Sequence, residues 1–256
     1  MKVTVCQLDN RPGRLETMLA DLAAHVSREQ SQFLLLPEMC FHEWLAADAG
    51  ADAARWQAAV ADHERQIENL AALGVKAVIG TRPLIDRHGQ RRNQAYLWTR
   101  DGVSAVHDKY YLPDEAGYRE ASWYQRGELR FDPCYTLGLC IGVQICTEMW
   151  FFEWARHFAR LGADLLCVPR ATPHGSLEKW IAGGQAAAVC SGAWCLSSNI
   201  WNPPGSKADC GGLGWIISPE GDVLGKTAED APFVSLDIDV DFARQSKETY
   251  PRYVTE

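Results

Sequence analysis

Three side chains that could carry out nucleophilic catalysis follow short apolar segments of this chain. Glu38, Lys109 and Cys146 each stand at the end of such a segment or within a few residues of it. A cysteine thiolate is a good nucleophile, a carboxylate can take up the thiol proton, and an ammonium group can stabilise negative charge on a substrate. This combination of side chains suits acyl transfer through a thioester.

Spacing alone does not separate catalysis from ordinary structural roles. Glu38 would also suit a solvated loop, Lys109 a surface position, and Cys146 a buried core position, where free cysteines usually lie. Their common place at strand ends favours a functional role, because α/β sheets form clefts there. Cys146 also precedes a predicted helix, whose N-terminus should lower the pKa of the thiol.

The elements that would position these residues alternate between helix and strand patterns. Apolar residues at spacings of three and four predict helices over about 12–30, 52–73, 150–161 and 178–190. The Asp101-Gly102 pair predicts a hairpin over 93–109. Apolar runs predict further strands at 2–8, 33–36, 75–80, 135–146, 165–168, 194–199, 214–218 and 233–238. Because several strands are apolar throughout, both sheet faces must be covered, and a layered α/β domain is predicted.

The composition is typical of one globular domain over residues 1–256. Hydrophobic residues make up 47%, charged residues 23%, and the formal net charge is -8. The longest basic cluster, Arg91-Arg92, is too small to predict binding of nucleic acid. No segment reaches the ~18 apolar residues of a membrane span, and the N-terminal run is too short for a secretory leader. We therefore expect a cytoplasmic protein that binds neither nucleic acid nor a membrane.

The sequence lacks the motifs of several other enzyme classes. It contains no G-x-S-x-G, no phosphate-binding G-x-x-x-x-G-K-[ST] and no H-E-x-x-H. Its nine cysteines include no C-x-x-C pair, and its seven histidines are isolated from one another. Neither a metal site nor a disulfide framework is predicted.

Longer segments around the three reactive residues resemble the motifs of the nitrilase superfamily of carbon–nitrogen hydrolases. LLLPE, which ends at Glu38, is similar to the first catalytic motif, and HDKYYLP (107–113) resembles the lysine motif. GVQICTE (142–148) resembles the nucleophile motif, and GYREASWY (117–124) resembles the segment that carries a second glutamate. The four motifs occur in the family order, and the resemblance covers about residues 2–240.

The resemblance implies a role for each catalytic residue. Cys146 would form the thioester, Glu38 would be the general base, and Lys109 with the N–H that follows Cys146 would stabilise the oxyanion. Glu120 would orient Lys109 or hold the substrate amide, with Glu115 as the alternative for this second glutamate. Glu38, Glu120 and Lys109 should titrate as a coupled group. No metal or organic cofactor is implied.

The resemblance also implies the architecture and the reaction. The fold would be a four-layer α-β-β-α sandwich in a single domain, with a catalytic core over about 2–240, a short C-terminal tail, and assembly into a homodimer or larger homo-oligomer. The predicted reaction is hydrolysis of a small amide or N-carbamoyl compound with release of ammonia. A nitrile substrate is the nearest alternative, and a non-catalytic binding or assembly protein on the same fold is another. A papain-like Cys/His enzyme would need a histidine beside Cys146, and His157 should point away from it.

The sequence departs from the family pattern close to the nucleophile, which bears on the substrate. Thr147, Glu148 and Phe152 stand where the family often has an aromatic residue, an aspartate and a proline. Arg170 follows a strand and could bind a substrate carboxylate, or could instead pair internally with Glu148 or Glu178. The aromatic residues nearby could line a substrate pocket or fill the core: Trp44, Trp123, Tyr124, Trp150, Phe151 and Trp154. The predicted substrate contacts are Thr147, Glu148, Trp150, Arg170 and Tyr124.

Overall fold

The computed structural model describes residues 1–254, and in it the apolar segments form two β-sheets that meet along the first strand. Within these residues the strands are β1 (Lys2–Leu8), β2 (Phe33–Leu35), β3 (Ala77–Ile85), β4 (Arg91–Thr99), β5 (Gly102–Asp108), β6 (Cys134–Thr136), β7 (Leu139–Val143), β8 (Leu165–Arg170), β9 (Trp194–Ile200), β10 (Trp215–Ile217), β11 (Val223–Lys226) and β12 (Phe233–Asp237).

The helices cover the outer faces of the two sheets. They are α1 (Leu15–Glu29), α2 (Ala53–Glu68), α3 (Glu120–Trp123), α4 (Phe152–Arg160), α5 (Leu177–Ser191) and α6 (Val240–Ser246). Short 3₁₀ turns occupy Leu45–Ala47, Leu70–Leu73, Cys146–Trp150 and His174–Ser176. Over the residues that the structure describes, no helix combines the length and the hydropathy that a membrane crossing would need.

Strand β1 connects the two sheets. The first sheet has the order β5-β4-β3-β2-β1, and β12 pairs with the other edge of β1. The second sheet has the order β6-β7-β8-β9, and β10 and β11 extend it beyond β9. The end of β1 pairs with β9 through Gln7 and Asn199. Strands β1, β2 and β3 run parallel, as do β7, β8 and β9, so each sheet has a set of carboxyl ends at one edge.

The alternation of side chains along β1 separates two apolar cores. Val3 and Val5 join the core between the two sheets. Cys6 and Leu8 face the other way and pack in a second core with the buried side chains of α1 and α2. On the far side, buried residues of α4 and α5 pack against the second sheet. The layers are therefore helix, sheet, sheet, helix, and the predicted four-layer α/β fold is confirmed.

Close packing between β7 and α4 depends on a glycine. Gly142 lies in β7, and a Cβ at this position would come within 2.6 Å of the ring of Phe158 on α4. Real carbon atoms do not approach so closely, so a larger residue would force α4 away from the sheet. Phe158 is fully buried, and burial of a phenylalanine side chain contributes about 1.5–3 kcal/mol.

The structure differs from the predicted elements mainly around Cys146. Segment 135–146 is not one strand, because Leu137 and Gly138 adopt positive φ and reverse the chain between β6 and β7. β7 ends at Val143, three residues before Cys146. The predicted helix 150–161 begins only at Phe152, and the intervening Cys146–Trp150 forms a 3₁₀ turn. Strand β11 was not predicted. It has only four residues, which alternate between half-buried and exposed positions, so its sequence contains no apolar run long enough to indicate a strand.

Candidate active site

The ends of three strands bring the reactive side chains to one place. Glu38 follows β2, and its N–H donates a 3.2 Å hydrogen bond to the carbonyl oxygen of Arg170 at the end of β8. Lys109 follows β5 directly, and its N–H is bonded to the carbonyl oxygen of Asn93. Glu120 is the first residue of α3. The Lys109 ammonium lies 2.8 Å from Glu38 Oε1 and 2.6 Å from Glu120 Oε2.

Burial and mutual attraction govern the charges of this group. Burial disfavours the charged form of Lys109, but the attraction of Glu120 and Glu38 outweighs it, so the pKa of Lys109 lies above its ordinary value. Burial raises the pKa of Glu120 to about 7, although Lys109 acts in the opposite direction. The side chains of all three residues are at most 1% exposed. The ammonium therefore stays charged between two carboxylates, one of which can take up a proton near neutral pH.

Two further side chains hold the carboxylates in place. Asn93 on β4 donates to Glu38 Oε1 at 2.7 Å and to the Tyr124 hydroxyl at 3.3 Å. Tyr124 in turn donates to Glu120 Oε2. Glu38 Oε1 is thus engaged by both Lys109 and Asn93, whereas Glu38 Oε2 has no hydrogen-bond partner within residues 1–254. The unpartnered oxygen is free to accept a proton.

Asn93 was not identified from the sequence. It is a buried polar residue in a strand whose following residues, 95–98, are buried and apolar. A buried amide needs hydrogen-bond partners, and the chain must supply them from elsewhere in the fold. A polar residue in an otherwise apolar strand could therefore have indicated a structural or functional role for Asn93. It would not have shown which carboxylate the amide contacts.

Cys146 has an unusual backbone conformation. Its φ is 51°, in the left-handed region that non-glycine residues rarely adopt, and it is the first residue of the Cys146–Trp150 turn. Such a conformation costs on the order of 1–3 kcal/mol and is found mainly where function requires it. The residue is only 3% exposed.

The predicted lowering of the Cys146 pKa is wrong. Burial raises the pKa of the thiol well above its ordinary value, and the negative charges of Glu38 and Glu120 add to this effect. Lys109 and a backbone hydrogen bond from Ala171 act in the opposite direction but do not compensate. The 3₁₀ turn has only five residues, so it offers little of the dipole that a longer helix would provide. The thiol therefore keeps its proton near neutral pH.

A cavity of about 560 Å³ opens onto Cys146. Glu120, Thr147 and Trp150 also line it, and charged side chains of both signs surround its mouth. Its remaining walls are formed by Pro113, Asp114, Glu115, Tyr118, Ala171, Thr172, Pro173, Ser176, Lys179 and Trp180. The volume is that of a small-molecule site.

No histidine lines this cavity. His157 is bonded instead to the carbonyl oxygen of Phe131 at 3.0 Å, so it does not approach Cys146 as a papain-like arrangement requires. Among residues 1–254, no three His, Cys, Asp or Glu side chains converge as the ligands of a metal ion would. Cys146 and Glu120 line the cavity, and Lys109 is paired with Glu120.

The predicted substrate contacts divide into two groups. Thr147 and Trp150 line the cavity, and Trp150 is 39% exposed. Glu148, Arg170 and Tyr124 do not line it, and each is bonded to groups inside the protein. Their predicted contact with substrate has no support in the geometry, because burial and internal partners leave them no surface toward the cavity.

Arg170 forms neither of the ion pairs that the sequence suggested. Its guanidinium donates to Ser197 Oγ at 2.7 Å, to Thr172 Oγ1 at 2.7 Å and to the carbonyl oxygen of Leu213 at 2.6 Å. It also lies 3.9 Å from the centre of the Trp215 ring. Glu148 is bonded instead to His107 and to two backbone N–H groups. Arg170 therefore fastens β8 to β9 and to the segment before β10, and its backbone carbonyl holds Glu38.

Most of the nearby aromatic residues belong to the protein interior. Trp44 and Trp123 are nearly fully buried, and their indole N–H groups donate to backbone carbonyls. Phe151 stacks on Tyr111 at 3.5 Å between ring centres. Trp154 similarly stacks on a neighbouring phenylalanine. Of the predicted aromatic cluster, Trp150 is the member that faces the cavity.

Comparison with known families and proteins agrees with this geometry. A family model described as "Carbon-nitrogen hydrolase" matches residues 2–248. A citrullinase from Francisella tularensis is 35% identical over 106 residues, which are 38% of this chain and 37% of that protein. An N-carbamoylputrescine amidase from Solanum tuberosum is 33% identical over 108 residues, which are 41% of this chain and 35% of that protein. The matched stretches thus span little more than a third of these relatives.

Solved structures share the fold over nearly the whole chain. A carbon–nitrogen hydrolase from Helicobacter pylori G27 superposes with a TM-score of 0.85 at 19% identity, covering 98% of this chain and 94% of that one. A mutant of the amidase from Nesterenkonia sp. AN1, which carries the acetamide moiety of fluoroacetamide on its active-site cysteine, superposes with a TM-score of 0.78 at 23% identity, covering 96% and 92%. At these identities the likeness establishes the fold.

Proposed function

The chain belongs to the carbon–nitrogen hydrolase family, and from this premise we propose that it hydrolyses a small amide or N-carbamoyl compound through a thioester at Cys146. The observation that carries the proposal is the buried Glu38–Lys109–Glu120 group beside the cavity that holds Cys146. It supplies a proton acceptor, a fixed positive charge and a second carboxylate next to a nucleophile.

The first half of the reaction would form the thioester. Cys146 transfers its thiol proton to Glu38 Oε2, the carboxylate oxygen without a partner, while the sulfur attacks the carbonyl carbon. Negative charge develops on the carbonyl oxygen, where Lys109 and the Thr147 N–H stabilise it. The carbon–nitrogen bond then breaks, and the leaving nitrogen takes the proton from Glu38 and departs as ammonia or an amine.

The second half would return the enzyme to its starting state. Water attacks the thioester carbon and gives a proton to Glu38, so the same carboxylate acts as base in both halves. The carbon–sulfur bond breaks, the acid or carbamate leaves, and the proton returns to the Cys146 sulfur. Lys109 keeps its charge throughout, because Glu120 and Glu38 favour its protonated form. Glu120 orients Lys109 and borders the cavity where the substrate amide would lie.

The cavity supports a small, polar substrate. Asp114 and Glu115 at its mouth are negative, Lys179 is positive, and Trp150 offers an apolar surface. The names of the related citrullinase and N-carbamoylputrescine amidase denote ureido compounds that carry charged groups, which agrees with this lining. A nitrile substrate is the nearest alternative. A non-catalytic protein would have no need for a buried lysine between two carboxylates, an arrangement that is costly to keep.

A substrate panel tests the proposal. Purified protein is incubated with primary amides, N-carbamoyl amines and nitriles of similar size, while released ammonia is measured. We expect turnover of amides or N-carbamoyl amines, with slower or no turnover of nitriles. Preferred turnover of nitriles would favour the alternative reaction, and the absence of turnover across the whole panel would contradict the enzymatic proposal.

The two candidates for the second glutamate can be separated by matched substitutions. Glu120 is buried and lies 2.6 Å from Lys109, whereas Glu115 is exposed at the cavity mouth. Glu120→Gln should lower kcat by about 10²-fold or more, because it removes a charge that holds the catalytic ammonium. Glu115→Gln should leave kcat nearly unchanged and act mainly through KM. Equal losses of kcat in both variants would contradict the assignment of this role to Glu120.

A further inference from the structure

Glu148 joins the two segments that carry the nucleophile and the lysine. Its side chain is fully buried, Oε1 accepts the Tyr110 N–H at 2.7 Å, and Oε2 accepts the Ile145 N–H at 2.8 Å. Tyr110 directly follows Lys109, and Ile145 directly precedes Cys146. One carboxylate therefore contacts the backbone beside both residues, although it does not reach the cavity.

The third partner of this carboxylate is a buried histidine. His107 Nε2 lies 2.9 Å and 3.0 Å from the two oxygens of Glu148, and His107 Nδ1 lies 3.1 Å from the carbonyl oxygen of Arg130. The carbonyl oxygen can only accept, and an ionised Glu148, which accepts an N–H group at each oxygen, also has no hydrogen to donate. Both ring nitrogens of His107 must therefore carry hydrogen, which makes the ring an imidazolium.

A second buried histidine shows the opposite arrangement. His63 Nδ1 lies 2.8 Å from the carbonyl oxygen of Ala59, whereas His63 Nε2 accepts the N–H of Phe41 at 3.3 Å. One donor and one acceptor satisfy a neutral ring. Burial lowers the pKa of His63 to about 4, in keeping with that state. The same chain thus contains a neutral reference for the charged His107.

Two acidic side chains near His107 favour its charged form. Burial disfavours the imidazolium, but Glu148 outweighs it, and Asp108 on the same strand acts in the same direction, so the pKa of His107 is raised. From the loop 124–133, the Phe131 ring packs at 4.4 Å, and the Arg130 guanidinium is paired with Asp132.

We propose that Glu148 and His107 form a carboxylate–imidazolium pair that positions Lys109 and Cys146 relative to each other. The inference rests on the proposed function, because it concerns the alignment of that reaction's nucleophile and ammonium. Both residues are positioning residues and contact no substrate. Glu148 needs both carboxylate oxygens for its two N–H partners. The positive imidazolium balances the negative charge of this carboxylate in a buried place that water does not reach.

Replacement of Glu148 by glutamine tests the carboxylate. An amide offers one oxygen and one NH₂ group, so one backbone N–H would face a donor and the turn at Cys146 would shift. We expect kcat to fall about 10²-fold with a much smaller change in KM, because misplacement of reacting groups by ~1 Å has that effect on rate. Glu148→Asp keeps both oxygens and should recover part of the loss. Glu153→Gln, which removes an exposed carboxylate from the next helix, is the matched control and should keep full activity.

The charge of His107 can be observed without any substrate. Protein labelled with ¹⁵N-histidine is titrated by NMR, and His107→Gln and His63→Gln variants assign the two rings. At pH 7.5, above the ordinary histidine pKa of about 6.5, we expect both nitrogens of His107 to be protonated and His63 to be neutral. A neutral His107 ring at this pH would overturn the proposal.

The outcomes separate this inference from the proposed function. If the wild-type protein hydrolyses nothing, the proposed function fails, and the NMR titration still decides the state of the pair. If the wild-type protein is active and Glu148→Gln matches it in kcat, the positioning role is refuted. If Glu148→Gln does not fold, the kcat of Glu148→Asp and the protonation state of His107 still test the proposal.

Discussion

Cys146→Ala removes turnover, with an expected loss in kcat of about 10⁴-fold or more. Removal of the nucleophile from a preorganised acyl-transfer site leaves only the residual rate that charge stabilisation and binding provide. The loss should be accompanied by little change in stability, because alanine keeps the Cβ and deletes one sulfur atom from a site that borders a cavity. Released ammonia with the best compound of the substrate panel is the measurement, and thermal unfolding is the check on the fold.

The matched control is another thiol of the same chain. Cys190 is half-buried on α5 and does not line the cavity, so Cys190→Ala should retain activity. Mass spectrometry of protein quenched during turnover should find the acyl adduct on Cys146 and on none of the other eight cysteines. Retained activity in Cys146→Ala, or an adduct on another cysteine, would refute the assignment of the nucleophile.

Lys109→Met should destabilise the protein as well as inactivate it. The substitution leaves Glu38 and Glu120 buried without their shared ammonium, and the loss of one partner from a buried ion pair costs about 3–5 kcal/mol. The site also loses the donor proposed for the oxyanion, which by itself lowers kcat by about 10²–10³-fold. Chemical denaturation and ammonia release measure the two effects separately.

The stability loss in Lys109→Met should depend on pH in a defined direction. Burial already raises the pKa of Glu120 to about 7, and without Lys109 to oppose it the pKa should rise further. A carboxyl whose pKa is raised on folding contributes stability that is complete below its unfolded pKa of about 4.3 and lost as pH rises through its folded pKa. The variant should therefore be closest to wild type near pH 5 and furthest from it near pH 8.

Lys179→Met is the control for this substitution. Lys179 is exposed and lines the same cavity. Its substitution removes one positive charge from the region but leaves no buried carboxylate unpaired. We expect wild-type stability at every pH and a change confined to KM. A Lys109→Met protein with the stability of wild type across this pH range would show that Glu38 and Glu120 do not depend on Lys109 for their charge balance.

The sequence by itself determined the layered α/β fold and the residues that could react. The helical pattern over 12–30 became α1, and the Asp101-Gly102 turn became the β4–β5 hairpin, because periodicity and turn chemistry act locally. The ordered motifs named Cys146, which lines the cavity, and Glu38 and Lys109, which form one buried charged group with the cavity-lining Glu120. Those inferences need only the local pattern and the order of the segments.

The positions of strand ends were less predictable near the site. Cys146 was expected to end a strand, but Leu137 and Gly138 divide that segment into a hairpin and β7 ends at Val143. Positive φ at Leu137 and Cys146 runs against the preference of these residue types. Local propensity therefore could not indicate either turn.

Only the tertiary structure decided how the charges are paired. Lys109 and Glu38 are 71 residues apart, and their 2.8 Å contact depends on how β2 and β5 are placed in one sheet. The tertiary structure also places Glu120, and not Glu115, beside Lys109. Glu148, which was predicted to contact substrate, is instead paired with His107. The thiol pKa is raised and not lowered, because burial depends on every layer that surrounds Cys146. Burial and long-range pairing are properties of the assembled fold, so no local pattern of residues contains them.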